Sequence, residues 1–112
     1  MRITQARSSE GLSKEWDVVV IGSGMGGLSA ASLLSTDGKK VLVLEAGIHP
    51  GGCSSSYTRK SYVFESGATT LTGFDNGQPM KFLEDHTGIN IPRIELNPSM
   101  SVWLEDQKHI IR

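Results

Sequence analysis

Gly22-Ser23-Gly24-Met25-Gly26-Gly27 sets glycines at 22, 24 and 27 in the spacing G-x-G-x-x-G, and Glu45 stands 18 residues after the last of them. This spacing suits one task, holding a pyrophosphate. Gly22 allows a tight turn, Gly24 lets the backbone approach the phosphates with no Cβ in the way, and Gly27 permits a helix to lie close on a strand. A helix beginning there turns free N–H groups and its positive dipole end toward the ligand. An acid at position 45 accepts hydrogen bonds from an adenosine ribose and repels a 2′-phosphate, which disfavours NADP. Other reactive residues are few. Cys53 is the single cysteine, so no internal disulfide forms and nothing argues for an oxidising compartment. It reads as a small residue packed in a loop, because a lone thiol is reactive only with a lowered pKa. His49, His86 and His109 lack metal-ligand spacing, and no Ser/His/Asp set is identifiable. No metal site is expected and no catalytic residue is assigned.

The glycines need a strand before them and a helix after them, and the chain supplies both. Asp17-Val18-Val19-Val20-Ile21 is a β-branched run with no polar interruption after Asp17, which reads as a strand buried on both faces. Leu28 to Ser35 reads as a helix with Gly27, Ala30, Ala31 and Leu34 on one arc, small enough to pack close on a sheet. Asp37-Gly38 ends it, with Gly38 suited to the left-handed position. Val41-Leu42-Val43-Leu44 forms a second strand, closed by Glu45. The whole is a βαβ unit of about 30 residues. A glycine-rich turn in some other α/β protein is the competing reading; the agreement of strand, glycines, helix face, second strand and acid weighs against it.

After the acid, Ala46-Gly47-Ile48-His49-Pro50-Gly51-Gly52-Cys53-Ser54 is a loop, where a plain NAD domain turns soon into a second crossover helix. With this loop the sequence, from Asp17 to Glu45 and on through Pro50-Gly51-Gly52, resembles the N-terminus of flavin-dependent amine-oxidase and phytoene-desaturase-type oxidoreductases. Pro50-Gly51-Gly52-Cys53-Ser54, Arg59 to Gly67 and Leu71-Thr72-Gly73-Phe74 are similar, within that group, to carotenoid isomerases and retinol saturases. The likeness covers residues 16 to 92. It implies FAD bound by its ADP half along Gly22, Ser23, Gly24, Met25, Gly26 and Gly27 and at Glu45 and Ala46. Gly51, Gly52 and Cys53 would lie near the phosphates and ribityl chain, and Gly67 and Ala68 near the flavin ring. It implies an oxidoreductase that desaturates, saturates or isomerises an apolar isoprenoid polyene. Many relatives carry arginine after the paired glycines and a basic residue soon after the acid. Here Cys53 and Ala46-Gly47-Ile48 stand instead, which counts against amine-oxidase activity.

Downstream, Tyr57-Thr58 and Tyr62-Val63-Phe64 flank Arg59-Lys60-Ser61 as a hairpin. Pro79 to His86 reads as a short helix ended by Gly88, with Met80 and Leu83 on its apolar face. Ser101–Glu105 and Lys108–Arg112 read as strands around Asp106-Gln107. The expected fold is therefore α/β: a Rossmann-like βαβ unit followed by β-hairpins and a short helix, an incomplete domain over residues 16–112 behind a flexible tail at 1–15. The chain has 112 residues, 38% apolar and 21% charged, with 11 basic against 12 acidic side chains, so bulk charge offers nucleic acid no attraction. No apolar run is long enough for a membrane span and no secretory signal is evident, which reads as cytoplasmic or membrane-peripheral. At this length the chain is expected to be the N-terminal part of a flavoprotein, catalytically incomplete alone and prone to self-association or in need of a partner chain. Two readings from other classes stay open, a fragment of a NAD-dependent dehydrogenase and a non-catalytic dinucleotide-binding module.

Overall fold

A computed structural model describes residues 15–68 and 70–111. The expected tail at 1–15 thus falls, apart from Glu15, outside the described residues, as does Arg112. Strand β1, Val18–Ile21, leads through the glycine turn into helix α1, Met25–Thr36, which crosses to strand β2, Val41–Leu44. The two strands pair in parallel with Val18 opposite Val41 and Ile21 opposite Leu44. This is the expected βαβ unit, with α1 beginning three residues earlier than the apolar pattern suggests.

The end of α1 is a Schellman motif. Gly38 takes φ +83°, its N–H donates to the Ser35 carbonyl, and the Lys39 N–H donates to the Leu34 carbonyl. The Lys40 N–H then donates to the Asp17 carboxylate at 2.7 Å, which ties the entry of β2 to that of β1.

The strands are not buried on both faces. Val18 and Val20 are half-buried, and Val20 lies beneath Gly27 of α1. Val19 and Ile21 point to the opposite face and are 50% and 86% exposed. In β1 the alternation follows from the pleat, since α1 covers one face of a two-stranded sheet, whereas in β2 Val41, Leu42 and Val43 are all half-buried and Leu44 is exposed. Among the described residues Ala31, 2% exposed, is the one buried apolar side chain. Ala30 belongs to the expected packing arc yet is exposed, because it stands at the edge of that arc, beyond the cover of two strands.

Helix α2, Pro79–Thr87, packs against α1. It starts where Gly73, at φ +90°, accepts N–H bonds from Met80 and Lys81, and it ends at Gly88, φ +70°. Met80 and Leu83 are half-buried as expected. At its far end His86 Nε2 lies 2.9 Å from Asp37 Oδ1 at the end of α1. Glu84 accepts the Ile91 N–H and an Arg93 N–H at 2.8 and 2.6 Å, and Arg93 stacks over Phe74 at 3.9 Å. These bonds hold Glu84 below its ordinary pKa, the Ile91 amide first and Arg93 second.

Two antiparallel hairpins complete the chain. Strands β3, Ser56–Arg59, and β4, Tyr62–Glu65, pair across Lys60-Ser61, with Tyr57 and Phe64 stacked at 5.4 Å. Strands β5, Met100–Leu104, and β6, Gln107–Ile111, pair with Leu104 opposite Gln107. Their turn is Glu105-Asp106, one residue before the expected Asp106-Gln107. Both turn residues have positive φ, +48° and +63°, the pairing of signs that matches a two-residue turn to strand twist. No helix among the described residues is long and apolar enough to cross a membrane.

Candidate functional site

The site is built where β1 and β2 end side by side. Gly22, at φ +92°, bends the chain out of β1 while its N–H still donates to the Leu44 carbonyl at 2.7 Å. One step on, Ser23 is almost fully buried, with 2% of its surface exposed. Its N–H and its hydroxyl both donate to Glu45 Oε2, at 2.7 and 2.5 Å. The Gly47 N–H donates to Oε1 at 2.7 Å. These bonds, the Ser23 hydroxyl foremost and the Gly47 amide next, lower the Glu45 pKa from 4.5 to about 2. Glu45 is therefore a fixed anion although it lies on the surface.

Gly24 is the N-cap of α1, extended at ψ 178°, and the helix carries no side-chain cap and no acid in its first turn. Its first N–H groups have no partner within the helix, and no side chain of the cap competes for them. A Cβ placed on Gly24 or Gly26 would meet nothing within 4 Å, so both border open space. Gly27 differs: a Cβ there would stand 2.1 Å from the Gly22 carbonyl oxygen. Close packing of helix on turn is thus a requirement at Gly27, while Gly24 faces outward to where a ligand would lie.

The second glycine pair closes against the first. The Gly51 N–H donates to the Ser23 carbonyl at 2.8 Å, and Gly24 and Gly51 form an isolated parallel bridge. Gly51 and Gly52 have φ +116° and +59°, and a Cβ on Gly52 would lie 3.2 Å from Gly24 Cα. Gly52–Ser54 form a single 3₁₀ turn. The Cys53 carbonyl accepts the Ala68 N–H at 3.0 Å, and a Cβ on Gly67 would stand 2.9 Å from that same oxygen. The Ser66 N–H donates to the Ser55 carbonyl, and the two serine hydroxyls are 3.0 Å apart. A continuous set of bonds therefore joins Gly22 through Gly27, Glu45 with Ala46 and Gly47, Gly51 through Cys53, and Gly67-Ala68.

Cys53 corrects one expectation. Its thiol side is exposed, because the single turn at Gly52–Ser54 packs through its backbone. Sequence reasoning also missed how Glu45 is held. Ser23 and Gly47 are its donors, and the signal for Ser23 lay in the register. In parallel strands that end level at Ile21 and Leu44, residues just past each end are neighbours. Among the described residues no group of three or more metal-ligating side chains is placed to hold an ion.

A family model described as NAD(P)-binding Rossmann-like domain matches residues 20–91, more than half of the chain and all of the glycine turns. The chain belongs to that family. This Rossmann-like unit is a dinucleotide-binding one, and its curated relatives narrow the likeness. It is 48% identical over 66 residues to the chloroplastic prolycopene isomerase of Daucus carota, covering 59% of this chain and 11% of that protein. It is 39% identical over 83 residues to human all-trans-retinol 13,14-reductase, covering 74% of this chain and 14% of that protein. An inactive all-trans-retinol 13,14-reductase of Danio rerio is 42% identical over 74 residues, 58% of this chain and 12% of that protein. The Rossmann-like chain thus spans only 11 to 14% of the length of these relatives. No solved structure matches it significantly.

Proposed function

We propose that this chain forms the FAD-binding N-terminal portion of an oxidoreductase that desaturates, saturates or isomerises an apolar isoprenoid polyene. The observation that carries the reading is the clasp between the two glycine turns, the Gly51 N–H on the Ser23 carbonyl beside Glu45. After β2 the chain returns to the first turn as a loop and then enters a hairpin. A plain NAD domain would send a crossover helix from that point, so the NAD-dependent dehydrogenase reading is disfavoured.

The residues fit an ADP-bearing dinucleotide. Open space at Gly24 and Gly26 admits a pyrophosphate, the uncapped start of α1 offers it N–H groups, and Glu45 stands as an ionised acceptor for a ribose. The negative charge of Glu45 opposes a 2′-phosphate. Gly51, Gly52 and Cys53 would follow the phosphates toward the ribityl chain, with Gly67 and Ala68 near the ring. When bound, the flavin supplies the redox chemistry. These residues bind and orient it. The relatives named for prolycopene isomerisation and all-trans-retinol reduction support a polyene substrate.

A relative named as inactive is 42% identical over 74 residues, which favours one second reading, a dinucleotide-binding unit without turnover. Titration of the purified chain with FAD, FMN, ADP and NADP by calorimetry tests the ligand. FAD and ADP should bind, with FMN and NADP weak or silent. Binding of FMN in preference to FAD would overturn the assignment, because FMN lacks the half that these residues address. Turnover of a polyene by the protein that carries this chain separates the enzyme from the silent module.

A further inference from the structure

We propose that Ser23 is a positioning residue. Its hydroxyl fills one acceptor site of Glu45 and leaves the carboxylate a single free site, on Oε1, so that the acid takes one ribose hydroxyl of an ADP-bearing ligand and not both. The inference rests on the dinucleotide reading above.

A carboxylate has about four acceptor sites, two on each oxygen. On Oε2 both are taken, by the N–H and the O–H of Ser23. On Oε1 one is taken by the Gly47 N–H. The Ala46 amide adds only the smallest favourable contribution to the ionised state, and the hydrogen bonds of full geometry to the carboxylate come from Ser23 and Gly47. No charged side chain contributes to holding Glu45 ionised, so the arrangement belongs to these donors alone.

Ser23 is not free to turn away. It is nearly fully buried, its N–H is on Glu45 and its carbonyl accepts the Gly51 N–H. A buried hydroxyl that left Glu45 would lose its partner, and buried donors without partners are rare because they are costly. The hydroxyl proton is thus committed to the acid, and the Ser23 side chain acts on a ligand through Glu45. One hydroxyl of the ribose meets Oε1, and the other looks elsewhere.

Calorimetric titration of the full chain with ADP, 2′-deoxy-ADP and 3′-deoxy-ADP tests this. One deoxynucleotide should bind about tenfold to a hundredfold more weakly than ADP, the value of a hydrogen bond to a charged group, and the other within about twofold. In Ser23→Ala the freed site on Oε2 should make both deoxynucleotides weak, and Ser23→Thr, which keeps the hydroxyl, should restore the one-sided pattern. Equal losses in the unaltered chain, or an unchanged pattern in Ser23→Ala, would overturn the proposal. A second measurement needs no ligand: the Glu45 carboxyl carbon followed by NMR from about pH 7 down to about pH 3.5. It should stay flat in the unaltered chain and begin to titrate in Ser23→Ala. A flat trace in Ser23→Ala would overturn the pairing itself. If the pairing holds while ADP fails to bind at all, the dinucleotide reading falls and takes the ligand role of Ser23 with it.

Discussion

Glu45 keeps its charge chiefly through the Ser23 bonds, which exist only when the ends of β1 and β2 are assembled, so its ionisation is coupled to folding. Its pKa falls from 4.5 to about 2. The folded state therefore binds fewer protons than the unfolded one between those values. The stabilisation is fully present above about pH 4.5 and is lost as pH falls toward 2. Urea unfolding midpoints should decline through that window in the unaltered chain and decline less in Glu45→Gln. The same carboxylate should matter to the ligand: Glu45→Ala should weaken FAD binding by about 1.5–3 kcal/mol, read by titration at neutral pH. Gly24 and Gly27 make a paired test. Gly27→Ala sets a Cβ against the Gly22 carbonyl and should cost about 1–3 kcal/mol of stability, seen as a lower thermal midpoint. Gly24→Val points into open space, so it should leave the fold largely intact and abolish flavin binding. The roles of these glycines are readable from spacing, because each answers a local steric demand. The Ser23 bonds to Glu45 are not, because Ser23 reaches it from a separate segment and only the strand register brings the two together.

At the scale of elements, α1 is held at its C-terminus by the Schellman bonds of Gly38 and Lys39 and linked to α2 through Asp37 and His86. Gly38→Ala should lower stability by about 1–2 kcal/mol, since a Cβ at positive φ meets the neighbouring carbonyl. The loss should appear in thermal unfolding with the helix content of the native state unchanged. Positions of β1, α1, β2 and α2 follow from the sequence because apolar periodicity and glycine stops act within one segment. The turn of the last hairpin does not. Glu105 and Asp106 carry no glycine to mark a positive φ, and pairing across the two strands decides the register. The exposure of Val19 and Ile21 was likewise illegible, since a β-branched run is the same whether one face or both are covered.

The whole molecule is open. Its radius of gyration is 17.9 Å, against about 13 Å for a compact domain near this size. Its three two-stranded sheets share no common core among the described residues, and Ile21, Ile48, Val63 and Trp103 are all exposed. Apolar surface of this kind drives association. Sedimentation equilibrium of the purified chain should show self-association that grows with concentration, and a strictly monomeric profile would contradict it.

The clasp between the glycine turns has a consequence in time. The backbone amide proton of Gly51, bound to the Ser23 carbonyl beside the Gly24–Gly51 bridge, joins the two loops. That proton can trade with solvent deuterium only when the loops part, so its exchange rate clocks the opening of the cradle. It should exchange faster than the amides within α1 and slow markedly once FAD is bound. A rate indifferent to FAD would mean that the second loop opens as often with the ligand in place as without it.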